Sequence, residues 1–229
     1  MEAETADATD AYGIPVVPGP SDAARHKQQA IMDAAAAEFL AEGYCAASMD
    51  AITSRSGVSK ATVYKHFGTK ERLFLAVIGG ILRRTYAGLA PYGSTLADAD
   101  DLRAALIGLT RDWATLLLRP DVMSLRRLVI GEVDRFPQLG RLWYRVTYDT
   151  CNGPLTEAFT ALHHSGRLDM PDPALAVQQL VAATVGVPQL VHTFAPDAET
   201  DPAELSRVVT SGVDLFLARY AAPVDELTG

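Results

Sequence analysis

Residues 48–70 read SMDAITSRSGVSKATVYKHFGTK, and this stretch decides the fold of the amino-terminal part of the chain. It predicts two short helices that are separated by a tight turn at Gly57-Val58-Ser59. Glycine favours the left-handed conformation that ends a helix, and serine caps the start of the next one. Ser48 is expected to cap the first helix in the same way. The apolar side chains placed to hold the two helices together are Met49, Ile52, Val58, Val63 and Phe67.

Two short helices joined by such a turn are typical of a helix-turn-helix, in which the second helix enters the major groove of DNA. Short hydroxyls and cations contact phosphates, and a lysine can donate to O6 and N7 of guanine. The predicted helix starts at Ser48, Ser59 and Thr69 add backbone N–H groups that can bind phosphate. Capping, packing or plain solvated surface is the alternative role of each residue. The side chains left mainly outward are Ser59, Lys60, Thr62, Tyr64, Lys65 and His66.

The rest of the chain also predicts helices. The first is expected to begin at Ser21 or Asp22 and to end at Gly43, and the fourth to run from about Lys70 to Leu89, before Pro91. No stretch alternates with period two, so no sheet is expected. The predicted fold class is all-α, with a three-helix helix-turn-helix domain joined by a long helix to a second helical domain. Further helices are expected at roughly 99–118, 121–134, 137–165, 173–193 and 202–221.

Charge is distributed unevenly along the 229 residues. The net charge of −8 disfavours nucleic-acid binding when the chain is taken as a whole. Residues 21–84, however, contain nine basic and six acidic residues, for a net charge of +3. A local basic segment on an acidic protein is compatible with a nucleic-acid-binding module joined to a domain of another purpose. We therefore divide the chain into an acidic flexible arm (1–20), a helix-turn-helix DNA-binding domain (21–69) and a helical domain of another purpose (70–229).

Several other classes of protein are disfavoured. Cys45 and Cys151 match neither a disulfide framework nor a spaced zinc site. His163 and His164 are adjacent, so they cannot serve as an i,i+4 metal pair. No Gly-rich phosphate loop, HExxH run or nucleophile elbow is present, so neither an enzyme nor a cofactor is expected. The apolar runs are short and interrupted, no signal peptide is evident, and a cytoplasmic protein is expected.

The run from Arg25 to Arg84 resembles the DNA-binding domain of the TetR/AcrR family of transcriptional regulators. Its segment DAITSRSGVSKATVYKHFGTKERLF resembles the recognition-helix motif of that family. Thr53 and Ser56 depart from the family pattern, which usually has alanine at both positions. The residues that fall in register with the motif are Gly57-Val58-Ser59, Tyr64, His66-Phe67 and Lys70-Glu71.

The resemblance implies a role for each polar residue of the motif. Ser48 and Lys70, at the starts of two helices, would hold phosphates. Lys60 and Lys65 are the best candidates for direct contact with bases, and Tyr64 is a further one. Thr62, Tyr64 and His66 would contact the DNA backbone. The complete predicted DNA-binding set is Ser48, Ser59, Lys60, Thr62, Tyr64, Lys65, His66 and Lys70.

Residues 85–229 resemble the regulatory domain of the same family more loosely. The stretch RRLVIGEVDRFPQLGRLWY is similar to the AefR-like C-terminal subfamily, which implies a domain that dimerises and usually binds a small molecule. The last two helices, about 173–193 and 202–221, could form a four-helix interface with a second copy. The alternative is that their apolar faces are intramolecular core. The apolar face of the last helix comprises Leu205, Val208, Val209, Gly212, Val213, Phe216, Leu217 and Tyr220.

Aromatic and flexible side chains in the same region suit a hydrophobic effector, and an arginine could meet an anionic group. Each of them could instead be ordinary core. Gly79-Gly80, inside the fourth helix, indicates either a hinge or close helix packing, because glycine destabilises a helix interior by about 1 kcal/mol relative to alanine. The candidate ligand residues are Tyr86, Trp113, Met123, Arg127, Trp143, Tyr144 and Tyr148.

The sequence thus predicts a ligand-responsive, DNA-binding transcriptional regulator, most simply a repressor that binds a palindromic operator as a dimer and is released by a small molecule. The alternative is a DNA-binding dimer whose C-terminal domain is a protein-interaction or structural module.

Overall fold

The computed structural model of the chain describes residues 9–10, 13–15, 22–87 and 96–222. Within these ranges the elements are helices, and the strand-like features are two isolated bridges, Thr9 with Pro15 and Leu168 with Ala221. The prediction of an all-α fold is confirmed. The expected cap at Ser21 and the expected helix end near Leu89 lie outside the described residues.

The first four helices are α1 (Asp22–Ala46), α2 (Met49–Ser56), α3 (Lys60–Phe67) and α4 (Lys70–Ala87). The sequence placed the end of α1 at Gly43. The backbone does leave the helical conformation there, with φ 72° and ψ 178°, and one further turn continues to Ala46. Glycine suits that position because a positive φ is strained for residues with a Cβ atom.

The remaining helices are α5 (Leu102–Leu117), α6 (Pro120–Glu132), α7 (Pro137–Thr147), α8 (Gly153–His164), α9 (Pro173–Val181), α10 (Val187–Phe194) and α11 (Pro202–Tyr220). Asp101, Asp172 and Asp201 accept backbone hydrogen bonds and so cap α5, α9 and α11. The sequence predicted uninterrupted helices at 137–165 and 173–193. Each contains a π-helical turn, at Tyr148–Asn152 and at Ala182–Gly186, which hydrophobic periodicity does not reveal.

The chain divides into two compact units. The first contains residues up to Thr85 together with Ser124–Val146, and the second contains Tyr86–Met123 and the residues from Thr147 onward. The middle segment Ser124–Val146 therefore belongs to the same unit as the helix-turn-helix. The division of the chain at residue 70 stays a prediction.

An aromatic cluster forms the centre of the first unit. The Tyr44 ring lies 4.7 Å from the Phe136 ring and 5.0 Å from the Phe74 ring, and Phe39 lies 4.9 Å from Phe74. Phe39, Phe74 and Phe136 are almost completely buried. Edge-on and tilted aromatic pairs at such distances add about 0.5–1.5 kcal/mol beyond the burial of apolar area. The cluster therefore joins α1, α4 and the segment Ser124–Val146.

In the second unit, α11 packs against α5 and against the π-helical turn at Ala182–Gly186. A Cβ atom at Gly212 would lie 2.6 Å from the carbonyl oxygen of Ala183, so only glycine permits this approach. Most of the face that the sequence offered to a partner is buried inside the chain, which corrects that assignment in favour of intramolecular core. The buried members of this face are Leu205, Val209, Gly212, Val213, Phe216 and Tyr220.

One helix among the described residues, Pro173–Phe194, is long and apolar enough to cross a membrane by length and composition. The short, interrupted apolar runs predicted no such segment, and that prediction is wrong. The helix is apolar on average because no Asp, Glu, Lys or Arg lies between Asp172 and Asp197. Length and composition are weak evidence for a membrane span, because core helices of soluble proteins pass the same test. Only 28% of the most apolar 18-residue stretch of this helix is buried inside the chain.

Part of the predicted arm packs on α4. Ile14 is completely buried, its backbone N–H donates to Asp10 Oδ1 at 3.0 Å, and the Asp10 carboxylate pairs with Arg83 of α4. A Cβ atom at Gly79 would lie 2.8 Å from Ile14 Cγ2 and 3.2 Å from Leu142 Cδ2. This geometry agrees with the close-packing interpretation of Gly79.

We expect opposite results from alanine at the two adjacent glycines of α4. Gly79→Ala should destabilise the protein, because overpacking costs about 1–3 kcal/mol and exceeds the gain in helix propensity of about 1 kcal/mol. Gly80→Ala should be neutral or stabilising, because its nearest contact is the flexible end of Met32 at 3.3 Å. Urea denaturation of both variants measures the difference. Equal stability of the two variants would contradict the packing of Ile14 on Gly79.

Candidate nucleic-acid interface

Local hydrogen bonds define the start and the end of α2. Ser48 is its N-cap, and the Ser48 Oγ accepts from the backbone N–H groups of Asp50 at 3.2 Å and Ala51 at 3.4 Å. The Ser48 N–H donates to Oε1 of Glu38 on α1 at 3.0 Å. Gly57 ends the helix in the left-handed conformation, as the sequence predicted, with φ 65° and ψ 14°.

The helix α3 presents one exposed face and one buried face. Ser59 caps it, accepting from the Thr62 N–H at 3.3 Å, while the two hydroxyl oxygens lie 2.8 Å apart. Val63 and Phe67 are buried, and so is Ile52 of α2. The exposed face repeats at i, i+1, i+4 and i+5, as expected for side chains on one side of a helix. Its members are Lys60, Ala61, Tyr64 and Lys65.

The two lysines of α3 differ in their surroundings. Lys60 Nζ lies 2.6 Å from Asp50 Oδ1, and the hydrogen bond to Asp50 raises the pKa of this lysine. Lys65 is exposed, and the described residues place no carboxylate at ion-pair distance from it. The charge of Lys60 is therefore partly balanced by Asp50, whereas no described carboxylate balances that of Lys65. Of the two candidates for base contact, Lys65 is therefore the better placed.

The other predicted contacts surround α3. Tyr64 is 41% exposed, whereas Thr62 and His66 are half-buried at the edge of the exposed face. Lys70, the first residue of α4, donates from Nζ to the backbone oxygen of Cys45 at 3.2 Å and lies 4.9 Å from the centroid of the Tyr44 ring. All eight predicted residues are thus in α3 or at the starts of α2, α3 and α4, within one unit.

One cation that the sequence analysis did not single out lies beside this site. Arg135 follows α6, and its Cζ is 4.6 Å from the centroid of the Tyr44 ring. Its Nη1 donates to Cys45 Sγ at 3.5 Å. Ninety residues separate the two partners, and no spacing rule links them. The only sequence signal was its place in the stretch that resembles the AefR-like domain.

The seven candidate ligand residues fall in both units. Tyr86, Trp113 and Met123 are buried in the second unit, which also contains the exposed Tyr148. The other three belong to the first unit, where Arg127 and Trp143 are half-buried and Tyr144 is 69% exposed. Their role in ligand binding stays a prediction.

A cavity of about 190 Å³ opens in the second unit, between α10, the start of α11 and the end of α5. None of the seven candidates lines it. Its apolar lining includes Val187, Val191, Leu205 and Val208, and Glu199, Asp201 and Glu204 also line it. Over the described part of the chain, no group of three or more His, Cys, Asp or Glu residues is arranged to hold a metal ion.

The arrangement defines a class of protein. A short, capped helix with a buried apolar face and an exposed face of tyrosine and lysine, following a second short helix and a tight turn, is the geometry of helix-turn-helix DNA-binding proteins. Residues 31–77 match the family model "Bacterial regulatory proteins, tetR family", and residues 104–222 match "AefR-like transcriptional repressor, C-terminal domain". The chain therefore belongs to the TetR family of DNA-binding transcriptional regulators.

Known relatives agree with this family. A TetR-family transcriptional regulator from Mesorhizobium loti MAFF303099 is 32% identical, covers 88% of this chain and 100% of its own, and superposes with a TM-score of 0.79. The flavonoid-responsive regulator FrrA is 25% identical over 87% of this chain and 99% of its own, with a TM-score of 0.65. The transcriptional activator FasR from Mycolicibacterium smegmatis is 39% identical over 77 residues, 33% of this chain and 35% of that protein.

Two predictions from the sequence are confirmed by these matches: the resemblance to the family and the absence of an enzymatic role. TetR-family regulators are soluble proteins that bind DNA, function as dimers and are not enzymes.

Substitutions of Ser48 should separate capping from DNA contact. Ser48→Ala should lower the free energy of unfolding by about 1 kcal/mol, and Ser48→Asn should retain it, because asparagine is also a good N-cap. Chemical denaturation measures both variants. If Ser48 also holds a phosphate, Ser48→Asp should fold and bind duplex DNA more weakly than Ser48→Asn. Equal DNA affinity of these two variants would restrict Ser48 to capping.

Proposed function

We propose that this protein is a repressor that binds a palindromic operator as a homodimer and is released by a small hydrophobic effector. The observation that carries the proposal is α3, whose exposed face offers Tyr64 and the unpaired Lys65 beside the helix starts of α2 and α4. Two such helices in a dimer enter successive major grooves about 34–36 Å apart. The eight predicted DNA-binding residues are part of the proposal.

The sign of regulation rests on the C-terminal domain. Residues 104–222 match a model described as a transcriptional repressor, and this match spans more of the chain than the similarity to the activator FasR. FasR and this chain are similar over 77 residues, which limits what can be carried over from FasR. Repression is therefore the better supported sign, and the protein would act in the cytoplasm, where its DNA is.

Release by a small molecule is supported by the name of FrrA, a flavonoid-responsive regulator that aligns with most of this chain. The effector is proposed to contact aromatic side chains among the seven candidates of the sequence analysis. A coupling free energy of about 1–3 kcal/mol between effector and DNA is typical and changes DNA affinity roughly 5- to 150-fold.

The last two helices are proposed to form the dimer interface through exposed apolar residues and not through the buried face of α11. In the single chain, several large apolar side chains of these two helices are exposed to water. Burying such side chains against a partner removes apolar area from water at about 25 cal/mol per Å². Those on α10 and α11 are Val187, Leu190, Val191, Phe194 and Leu215.

Substitutions on α3 test the DNA-binding proposal. With an operator duplex recovered by selection from random DNA, Tyr64→Ala and Lys65→Ala should each weaken binding by about 1–3 kcal/mol, roughly 5- to 150-fold. Lys60→Ala should have a smaller effect, because Lys60 is paired with Asp50 in the free protein. Fluorescence anisotropy titrations give the three affinities. Wild-type affinity of both the Tyr64 and the Lys65 variants would refute the assignment of α3 as the recognition helix.

A charge on the exposed apolar face tests the dimer. Leu215 is 67% exposed in the single chain, so Leu215→Glu should leave the protomer folded but bury an unpaired carboxylate in the interface. We expect a monomer by sedimentation velocity. Ile130→Glu, at an exposed apolar residue of α6, is the matched control and should remain dimeric. A dimeric Leu215→Glu protein would place the interface elsewhere.

A further inference from the structure

Two cations share the ring of Tyr44 at the edge of the proposed DNA-binding surface. Lys70 Nζ lies 4.9 Å from the ring centroid, and Arg135 Cζ lies 4.6 Å from it. Cys45 contacts both: its backbone oxygen accepts from Lys70 at 3.2 Å, and its sulfur accepts from Arg135 at 3.5 Å. Residues from α1, from the start of α4 and from the turn after α6 thus meet at one point, within one unit.

Among the described residues, no carboxylate lies at ion-pair distance from either cation. The ion pairs of the described residues join other cations to carboxylates, for example Lys60 to Asp50 and Arg103 to Asp214, and none involves Lys70 or Arg135. The pKa of Tyr44 is raised mainly by burial, and Arg135 opposes this shift while Glu71 and Glu132 add to it. Neither glutamate, however, lies at ion-pair distance from Lys70 or Arg135. The charge of both side chains is therefore available to an external anion.

The cations are also held in place. A guanidinium stacked on an aromatic ring has lost part of its conformational freedom already, so less entropy is lost when it binds an anion. Arg135 additionally stacks 5.6 Å from the Phe136 ring, and Phe136 is buried in the aromatic cluster of the first unit. Arg135 remains exposed to solvent. Arginine in such a position suits the bidentate recognition of a phosphate.

The position of the pair favours DNA as the source of that phosphate. Lys70 begins α4, and two residues separate it from the end of α3, so it lies next to the recognition helix. The separation of the two cations cannot exceed the sum of their distances to the shared ring centroid. The two cations are therefore close enough together for one stretch of a DNA strand to contact both.

We propose that Arg135 binds the DNA backbone together with Lys70, so that the DNA-binding surface extends from the helix-turn-helix onto the segment Ser124–Val146. The proposal rests on the proposed function, because it places DNA against α3. Arg135 would then contact DNA directly. It lies within residues 104–222, which match the AefR-like C-terminal domain, and outside residues 31–77, which match the DNA-binding domain.

The dependence of DNA affinity on salt concentration tests the proposal. Each phosphate contact adds about 0.9 to the slope of log K against log salt concentration through the release of counterions. Arg135→Gln should lower the slope by about 0.9 per protomer and weaken binding about tenfold per protomer near 0.1 M salt. The loss should be equal on the selected operator duplex and on a random duplex of the same length, because phosphates carry no sequence.

Two further variants separate contact from positioning. Arg135→Lys keeps the charge and should retain the wild-type slope. Arg111→Gln removes an exposed arginine of α5, which belongs to the second unit and not to the segment Ser124–Val146, and its slope and affinity should equal those of the wild type. Thermal unfolding of every variant checks that Arg135→Gln remains folded, and if it does not, the Arg135→Lys and Arg135→Ala proteins are compared instead.

A wild-type slope for Arg135→Gln overturns the proposal, whether or not its affinity falls. A lower affinity with an unchanged slope would make Arg135 a residue that positions Tyr44 and Lys70. Failure of the proposed function is a separate outcome, and it would appear as wild-type affinity of the Tyr64→Ala and Lys65→Ala proteins. The slope of Arg135→Gln is measured independently of that result, on the random duplex.

Discussion

The burial of Val63 and Phe67 is the constraint on which the DNA-binding surface depends. The helix α3 has eight residues, which is too short to be stable in water on its own. Its helical conformation therefore comes from these two apolar contacts, from the Ser59 cap and from Gly68, whose backbone N–H donates a hydrogen bond to the Tyr64 carbonyl oxygen. Because the same contacts also fix the rotation of α3, they decide that Tyr64 and Lys65 face outward.

The aromatic cluster extends this constraint to the rest of the first unit. Tyr44 contacts Phe74 of α4 and Phe136 of the segment Ser124–Val146, so the start of α4 and the turn after α6 are held against α1. Arg135 is brought to the Tyr44 ring by the same packing. The net charge of −8 consequently says little about the DNA-binding surface, where cations are concentrated by tertiary contacts and the acidic remainder would limit non-specific binding.

The second unit shows how packing reassigns an amphipathic face. The regular apolar positions of α11 are buried against α5 and the π-helical turn, and Gly212 allows the close approach. The apolar residues left for a partner are fewer and are concentrated on α10, with Leu215 on α11. Pro173–Phe194 carries no Asp, Glu, Lys or Arg, which gives it the composition of a membrane span, and a helix that forms the proposed dimer interface would have the same composition.

By itself, the sequence determined the helices, the turns at Gly43 and Gly57, the caps at Ser48 and Ser59, and the family. These features depend on interactions between residues at most four positions apart, or on a motif, and both can be read from the chain. Only the tertiary structure decided that Ile14 packs on Gly79, that Asp50 forms an ion pair with Lys60, and that Arg135 stacks on the Tyr44 ring. Such contacts join residues distant in sequence, and no local periodicity encodes which of many apolar or charged side chains will meet.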